Sequence, residues 1–249
     1  KGERPQTLQR LRYLSLALRY LRANGRGPYT MQELQTRLES QGIHTLLVQF
    51  TDIHGTARGK LVPLEHLDDV LTIGAGFSGP SIWGTGLPRT TARSEYFARG
   101  VADTAQPLPW WPGVARIIGN GFVNGEPFEA CPRQVLLRQI QRLTERSFTL
   151  QVGMEPEFFL LKKVGDDWQP FDDADRLDRP SYDLKSLPRQ APFLHALHQA
   201  LKDASMDVLQ IDHEDAHGQY EVNFAHADAL TTADRLMFFK LAAHHYAEQ

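Results

Sequence analysis

The chain has 249 residues, of which 41% are hydrophobic, and its formal net charge at pH 7 is −3. This composition is typical of a globular protein of one or two domains, and the slight negative charge argues against a nucleic-acid-binding protein, whose domains are strongly basic. No apolar run approaches the roughly 20 residues that span a bilayer. A single cysteine, Cys131, precludes an internal disulfide and fits a reducing compartment. With no secretory signal pattern visible, we expect a cytoplasmic protein.

Two helices are predicted at the start of the chain. In residues 7–23, leucines recur every three or four positions among arginines, which is the pattern of an amphipathic helix. We interpret it as an ordinary surface helix rather than a membrane or partner helix. The second helix covers residues 30–41, where Thr30 and Glu33 form a capping box.

The next region alternates between strands and glycine- or proline-rich segments. Residues 43–52 (IHTLLVQFTD) and 56–63 (TARGKLVP) are β-branched and aromatic, which predicts two paired strands. Residues 74–88 (GAGFSGPSIWGTGLP) lack the spacing of a phosphate-binding loop, and we interpret them as a mobile surface loop. A strand follows at residues 114–123 (VARIIGNGFV), and Pro132 begins a helix after Cys131.

The second half of the chain contains three predicted strands and two further helices. The strands are at residues 153–161 (GMEPEFFLL), 207–215 (DVLQIDHED) and 218–224 (GQYEVNF), and the helices at 193–204 and 231–247. We divide the chain into an N-terminal helical extension (1–29), a first domain (30–128) and a second domain (129–249).

Acidic residues lie on the predicted strands of the second domain. Glu155 and Glu157 are two apart and so face the same way on a strand, although they lie in an apolar run. Glu214 and Glu221 flank a turn at Gly218, which brings them close together. If these strands share one sheet, four carboxylates converge, and oxygen ligands of this kind suit Mg²⁺ or Mn²⁺. Two alternatives remain open: a solvated strand face, and a glycosidase-type carboxylate pair, which requires only two acids.

The order of these motifs resembles the glutamine synthetase superfamily. GMEPEFF, then HED-x-x-GQ-x-E, then a helix containing AD and FFK match its catalytic domain, and VQFTDIHGTARGKLVP is similar to its N-terminal β-grasp domain. NGEP-x-E-x-CPR, DHEDAHGQYEVNF and DALTTAD are most similar to the type III GlnT-like branch, which includes glutamate–methylamine ligases. The resemblance covers residues 31–249. It implies an α+β fold: a β-grasp domain, then the first part of a catalytic domain with a curved antiparallel sheet and flanking helices.

The resemblance also implies a reaction and its cofactors. The family joins the side-chain carboxylate of glutamate to ammonia or a small alkylamine, with ATP as co-substrate and γ-glutamyl phosphate as intermediate. Divalent metals, Mg²⁺ or Mn²⁺, neutralise charge during the phosphoryl transfer. The family's subunits assemble as stacked hexameric rings, so the resemblance implies a homo-oligomer.

Residue roles follow from the same resemblance. Glu157, Glu214 and Glu221 match the ligands of the metal nearest glutamate and the amine, and Glu155 matches a ligand of the metal that holds the nucleotide phosphates. Asp52 matches an aspartate that reaches across a subunit interface to bind and deprotonate the ammonium.

Three departures from the family pattern leave other functions open. Tyr182 matches a tyrosine of the amine site, but in a weaker alignment, and Asp212 stands where many relatives carry a histidine. The sequence does not contain the family's TFMPKP-type segment, its glutamate-binding arginines, or the histidine and the last glutamate that ligate metal. One alternative is a truncated, catalytically inactive protein with an assembly or metal-binding role. The other is a γ-glutamylpolyamine synthetase.

Overall fold

The computed structural model describes residues 30–89 and 94–249, which divide after Leu150 into two compact units. The helix expected at residues 7–23 lies outside the described residues. The expected domain division after residue 128 stays a prediction. The helix that follows this position, Pro132–Glu145, belongs to the first unit. None of the described helices is long and apolar enough to cross a membrane.

The first unit is a mixed sheet with helices. Its helices are α1 Met31–Ser40, α2 Leu67–Thr72 and α3 Pro132–Glu145. Its strands are β1 Thr45–Thr51, β2 Ala57–Pro63, β3 Ala75–Ser78, β4 Glu95–Gly100, β5 Gln106–Pro107, β6 Val114–Val123 and β7 Glu126–Pro127. The main strand order is β2-β1-β6-β4-β3, with β1 and β6 parallel and the other neighbours antiparallel.

Local sequence signals account for these elements. The capping box predicted at the start of α1 is confirmed, since the Thr30 hydroxyl accepts from the Glu33 N–H while the Glu33 carboxylate accepts from Thr30. Alternate residues of β1 are buried with α1 and α2 in the core of this unit. The predicted strands at 43–52, 56–63 and 114–123 are confirmed as β1, β2 and β6.

The glycine-rich segment at residues 74–88 is more ordered than the sequence predicted. Its start is β3, paired with β4, and a short 3₁₀ turn follows at Gly79–Ser81. A Cβ on Gly79 would lie 2.7 Å from the Ser94 carbonyl oxygen. Glycine at this position therefore permits a close approach of two backbones, and its presence there does not indicate a mobile loop.

The second unit is a four-stranded sheet, a hairpin and three helices. The sheet strands are β8 Gln151–Met154, β9 Glu157–Phe159, β12 Val208–His213 and β13 Gln219–Asp228. The hairpin strands are β10 Leu161–Val164 and β11 Asp167–Pro170. The helices are α4 Ser186–Arg189, α5 Ala191–Asp203 and α6 Ala229–Ala247.

The stretch GMEPEFFLL does not form the single strand that the sequence predicted. It is split into β8 and β9, which both pair antiparallel with β13, and the carbonyl of the intervening Pro156 accepts from the Val222 N–H. Pro156 has no N–H to donate to a ladder, so a break at this position is expected. On the other side, β13 pairs antiparallel with β12.

The register of β9, β13 and β12 gives this sheet one apolar and one acidic face. Phe158 lies opposite Tyr220, and both pack in the core cluster of this unit with residues of α4 and α5. One position further along, Glu157 lies opposite Glu221, which lies opposite Asp212. Because successive side chains alternate between faces, this row of three acids lies on the face away from the core.

Candidate metal centre

Three carboxylates meet at the turn between β12 and β13. Asp212, Glu214 and Glu221 each place an oxygen within 4.8 Å of the other two. Asp212 and Glu221 are directly paired across the strands, and the Glu214 N–H donates to the Gln219 carbonyl at 2.9 Å, which continues the ladder past the end of β12. The expected approach of Glu214 to Glu221 is thus present, and Asp212 joins them.

This acid trio carries unfavourable negative charge. Burial, followed by the hydrogen bond with Glu214 and the charges of Asp212 and Glu214, raises the pKa of Glu221. Burial and the Glu214 charge likewise raise the pKa of Asp212, against a smaller opposing effect of His213. The Oδ1 atom of Asp212 is buried without a hydrogen-bond partner. A cation at this point would relieve each of these costs.

Glu157 lies beside the trio and is oriented by a glutamine. It lies directly opposite Glu221 on the neighbouring strand, and its Oε2 accepts from the Gln219 side-chain amide at 2.5 Å. The other end of that amide, Oε1, accepts from the Ala216 N–H within the turn. Gln219 therefore links the β12–β13 turn to the Glu157 carboxylate.

Glu155 is placed differently from the other three glutamates. It lies in the break between β8 and β9 and is exposed. Over residues 30–89 and 94–249, the trio is the one cluster of three or more potential metal-ligating side chains, and Glu155 is not in it. Its assignment to a second, nucleotide-side metal stays a prediction.

The backbone of Tyr182 is hydrogen-bonded to the last residue of β12, next to Glu214. Its backbone N–H donates to the His213 carbonyl at 2.9 Å, and its side chain is 69% exposed. Its φ of 63° is in the left-handed region, where a bulky residue is uncommon. The tyrosine therefore lies near Glu214 in the fold, and its role in an amine site stays a prediction.

Asp52, in the first unit, has partners within its own turn. Its Oδ1 accepts from the His54 and Thr56 N–H groups, both at 3.0 Å, and its Oδ2 from the Arg58 guanidinium at 2.9 Å. Burial alone would raise the pKa of Asp52, but these hydrogen bonds outweigh it and lower the pKa. The carboxylate thus stabilises the β1–β2 turn, and its predicted action across a subunit interface stays a prediction.

Comparisons with known proteins match both the sequence and the fold. A family model described as "Glutamine synthetase, catalytic domain" matches residues 129–249. A glutamate–methylamine ligase of Methyloversatilis universalis is 46% identical over 212 residues, covering 85% of this chain and 48% of the relative. Residues 129–249 belong to the glutamine synthetase catalytic-domain family. A glutamine synthetase of Rhizobium meliloti is 32% identical over 217 residues, covering 87% of this chain and 49% of the relative.

Solved structures of the superfamily have the same fold. A GmaS–ADP complex superposes with a TM-score of 0.80 at 34% identity, over 86% of this chain and 49% of the other. A Plasmodium falciparum glutamine synthetase, with a TM-score of 0.75 at 18% identity over 88% of this chain and 49% of the other, supports the fold alone. The expected fold is therefore confirmed at the level of a mixed α/β fold with a curved sheet that resembles the glutamine synthetase catalytic domain. The chain spans about half the length of the curated relatives it matches.

Three polar residues at this site, one of them in the trio, were not predicted as site residues from the sequence. Asp212 precedes Glu214 by two positions, so the alternation rule that paired Glu155 with Glu157 could have found it. Gln219 could have been found the same way, two positions before Glu221. Asp175 could not, because its contact with His213 joins residues 38 positions apart through a segment with no strand or helix pattern.

Proposed function

We propose that this chain carries part of the active site of an ATP-dependent ligase that joins glutamate to a small amine through γ-glutamyl phosphate. The observation that carries the proposal is the acid trio at the β12–β13 turn. It lies within the residues that match the glutamine synthetase catalytic domain, next to Glu157.

The donor set fits a divalent cation. The available atoms are all carboxylate oxygens, which suit Mg²⁺ or Mn²⁺. The raised pKa values of Glu221 and Asp212 and the unpartnered Asp212 oxygen support the need for positive charge there. Glu157, Glu214 and Glu221 would hold the metal, with Asp212 as an added ligand. Such a cation neutralises the negative charge on the phosphoryl group and its acceptor and keeps the two in line.

The protein's own residues would position the reactants. Gln219 holds the Glu157 carboxylate towards the paired acids, and Tyr182 would line the amine site. The attacking amine has to be neutral, so a carboxylate must accept a proton from the ammonium form. Asp52 of a neighbouring subunit remains the predicted acceptor, and Glu155 the predicted ligand of a nucleotide-side metal.

Sequence identity favours an alkylamine over ammonia as co-substrate. The chain is 46% identical to a glutamate–methylamine ligase and 32% identical to a glutamine synthetase over nearly the same span. The resemblance also supports a β-grasp fold for residues 30–128 and assembly as a ring-shaped homo-oligomer, in which Asp52 would lie near a second subunit.

An activity assay with matched amines tests this proposal. The protein is incubated with glutamate, ATP and Mg²⁺, and phosphate release is measured with methylamine, ammonium or putrescine, while mass spectrometry identifies the amide. We expect amine-dependent phosphate release that is greatest with methylamine and is lost in Glu221→Gln. No amine-dependent release would instead support the inactive alternative, and a preference for putrescine would support the polyamine ligase.

A further inference from the structure

One polar segment is hydrogen-bonded to the turn that carries Glu214. This segment, residues 172–183, has no regular helix or strand and lies against the 213–218 turn. Five hydrogen bonds join the two: His213 Nε2 to Asp175, Gly218 N to Asp175, Tyr182 N to His213 O, Ser181 Oγ to Asp215 and His217 Nε2 to Leu177 O. These hydrogen bonds restrict the position of the turn and, with it, the backbone of Glu214.

His213 lies at the junction of the segment and the turn. Its side chain is fully buried, and its ring packs against Tyr220 with centroids 5.0 Å apart. Its Nδ1 lies 2.8 Å from the Glu214 carbonyl oxygen. Since a carbonyl can only accept, this ring nitrogen donates, and the bond fixes the backbone of Glu214 directly.

A single oxygen of Asp175 holds both ends of the turn. Its Oδ2 accepts from His213 Nε2 at 2.8 Å and from the Gly218 N–H at 2.6 Å, and its side chain is fully buried. Gly218 has a φ of +74°, which only glycine adopts readily. Next to it, Gln219 reaches the Glu157 carboxylate. Asp175 is thus connected to Glu214 on one side and to Glu157 on the other.

We propose that Asp175 and His213 are positioning residues that set the geometry of Glu214 and Glu157 for a divalent cation. They act through backbone and side-chain hydrogen bonds and do not contact the cation or the substrate. Mutating the hydrogen-bond partners of metal ligands typically weakens metal affinity about 10- to 100-fold. This inference rests on the proposed metal site.

Asp172 provides a matched control within the same segment. It is 8% exposed, and it accepts from the Ala174 N–H at 3.0 Å and from the Arg189 guanidinium at 2.5 Å. Neither of these contacts involves the 213–218 turn. Replacing Asp172 therefore perturbs the anchoring of the segment without removing the link to Glu214.

The experiment compares Mn²⁺ affinity in Asp175→Ala and Asp172→Ala by calorimetry, at a temperature where circular dichroism shows each variant folded. Alanine removes the acceptor oxygen, and we expect Asp175→Ala to bind Mn²⁺ about 10- to 100-fold more weakly than the wild type, and Asp172→Ala to stay within about twofold. Melting temperatures of both variants show whether their losses of stability are comparable.

Other results of this experiment would overturn either the positioning role or the metal site. Unchanged Mn²⁺ affinity in Asp175→Ala, or an equal loss in both variants, would overturn the positioning role. If Asp175→Ala does not fold, His213→Gln tests the same link, because its amide can still reach towards Asp175 but loses the bond to the Glu214 carbonyl. A wild type that binds no Mn²⁺ would refute the metal site itself, and this inference with it.

Discussion

Replacing Glu221 with glutamine should stabilise the protein in the absence of divalent cations while abolishing its response to them. Glu221 is 9% exposed, and burial together with its acidic neighbours raises its pKa from 4.5 to about 7. A raised carboxyl pKa means that the folded state holds the proton more tightly. The stability that this protonated carboxyl group contributes is complete below pH 4.5 and is lost as the pH rises through about 7.

The size of the effect follows from this shift. Ionising Glu221 in the folded protein costs up to about 3 kcal/mol at pH 8, and roughly 1 kcal/mol at pH 5, where most of it is still protonated. Glutamine keeps the shape without the charge. For a chain of this size, about 3 kcal/mol corresponds to a rise in melting temperature of up to roughly 10 °C.

Scanning calorimetry with EDTA at pH 5 and pH 8 measures this difference. We expect Glu221→Gln to melt above the wild type at pH 8, with a smaller gap at pH 5, and added Mn²⁺ at pH 8 to raise the melting temperature of the wild type but not of Glu221→Gln. Glu155→Gln is the control, since this exposed glutamate lies outside the trio. A Glu221→Gln variant that melts below the wild type by the same amount at both pH values would refute the electrostatic reasoning.

Three further predictions concern residues around the trio and Asp52. Glu157→Ala should weaken Mn²⁺ binding more than Glu155→Ala, and calorimetry showing the reverse order would contradict the assignment of Glu157. Gly218→Ala should lower the free energy of unfolding by about 1–2 kcal/mol in urea titrations, because its φ is +74° and a Cβ would lie 3.0 Å from the Leu160 carbonyl oxygen. Asp52→Asn should lose about 1–3 kcal/mol of stability, because it weakens three hydrogen bonds at a buried carboxylate. Unchanged stability with lost amine turnover would instead indicate the catalytic role predicted by resemblance.

Local patterns predicted most of the secondary structure. The capping box at Thr30 and the β-branched runs of β1 and β6 produced the expected elements, because these signals act within a few residues. Residues 74–88 were predicted as a mobile loop, but the segment begins with the strand β3. Glycine content alone does not distinguish the two cases. Glycine permits loose loops, but at Gly79 it permits close backbone packing, and only the neighbouring strand reveals which applies.

The acidic site was predicted in part for a similar reason. The approach of Glu214 to Glu221 follows from a turn and a pairing rule, both local, whereas the split of GMEPEFFLL at Pro156 depends on how β13 pairs with two strands. The bond between Asp175 and His213 joins segments that are distant in sequence and have no shared pattern. Such contacts are set by tertiary packing, so sequence spacing alone does not predict them.

The proposed cation site is formed by Glu157 on β9, Glu221 on β13 and Glu214 in the β12–β13 turn. Anomalous diffraction at the manganese edge, from crystals grown with Mn²⁺, shows whether these carboxylates hold a divalent cation. We expect an anomalous peak between the carboxylates of Glu157, Glu214 and Glu221, and its loss in Glu221→Gln. A well-ordered acid trio with no peak, or a peak that persists in Glu221→Gln, would refute this site.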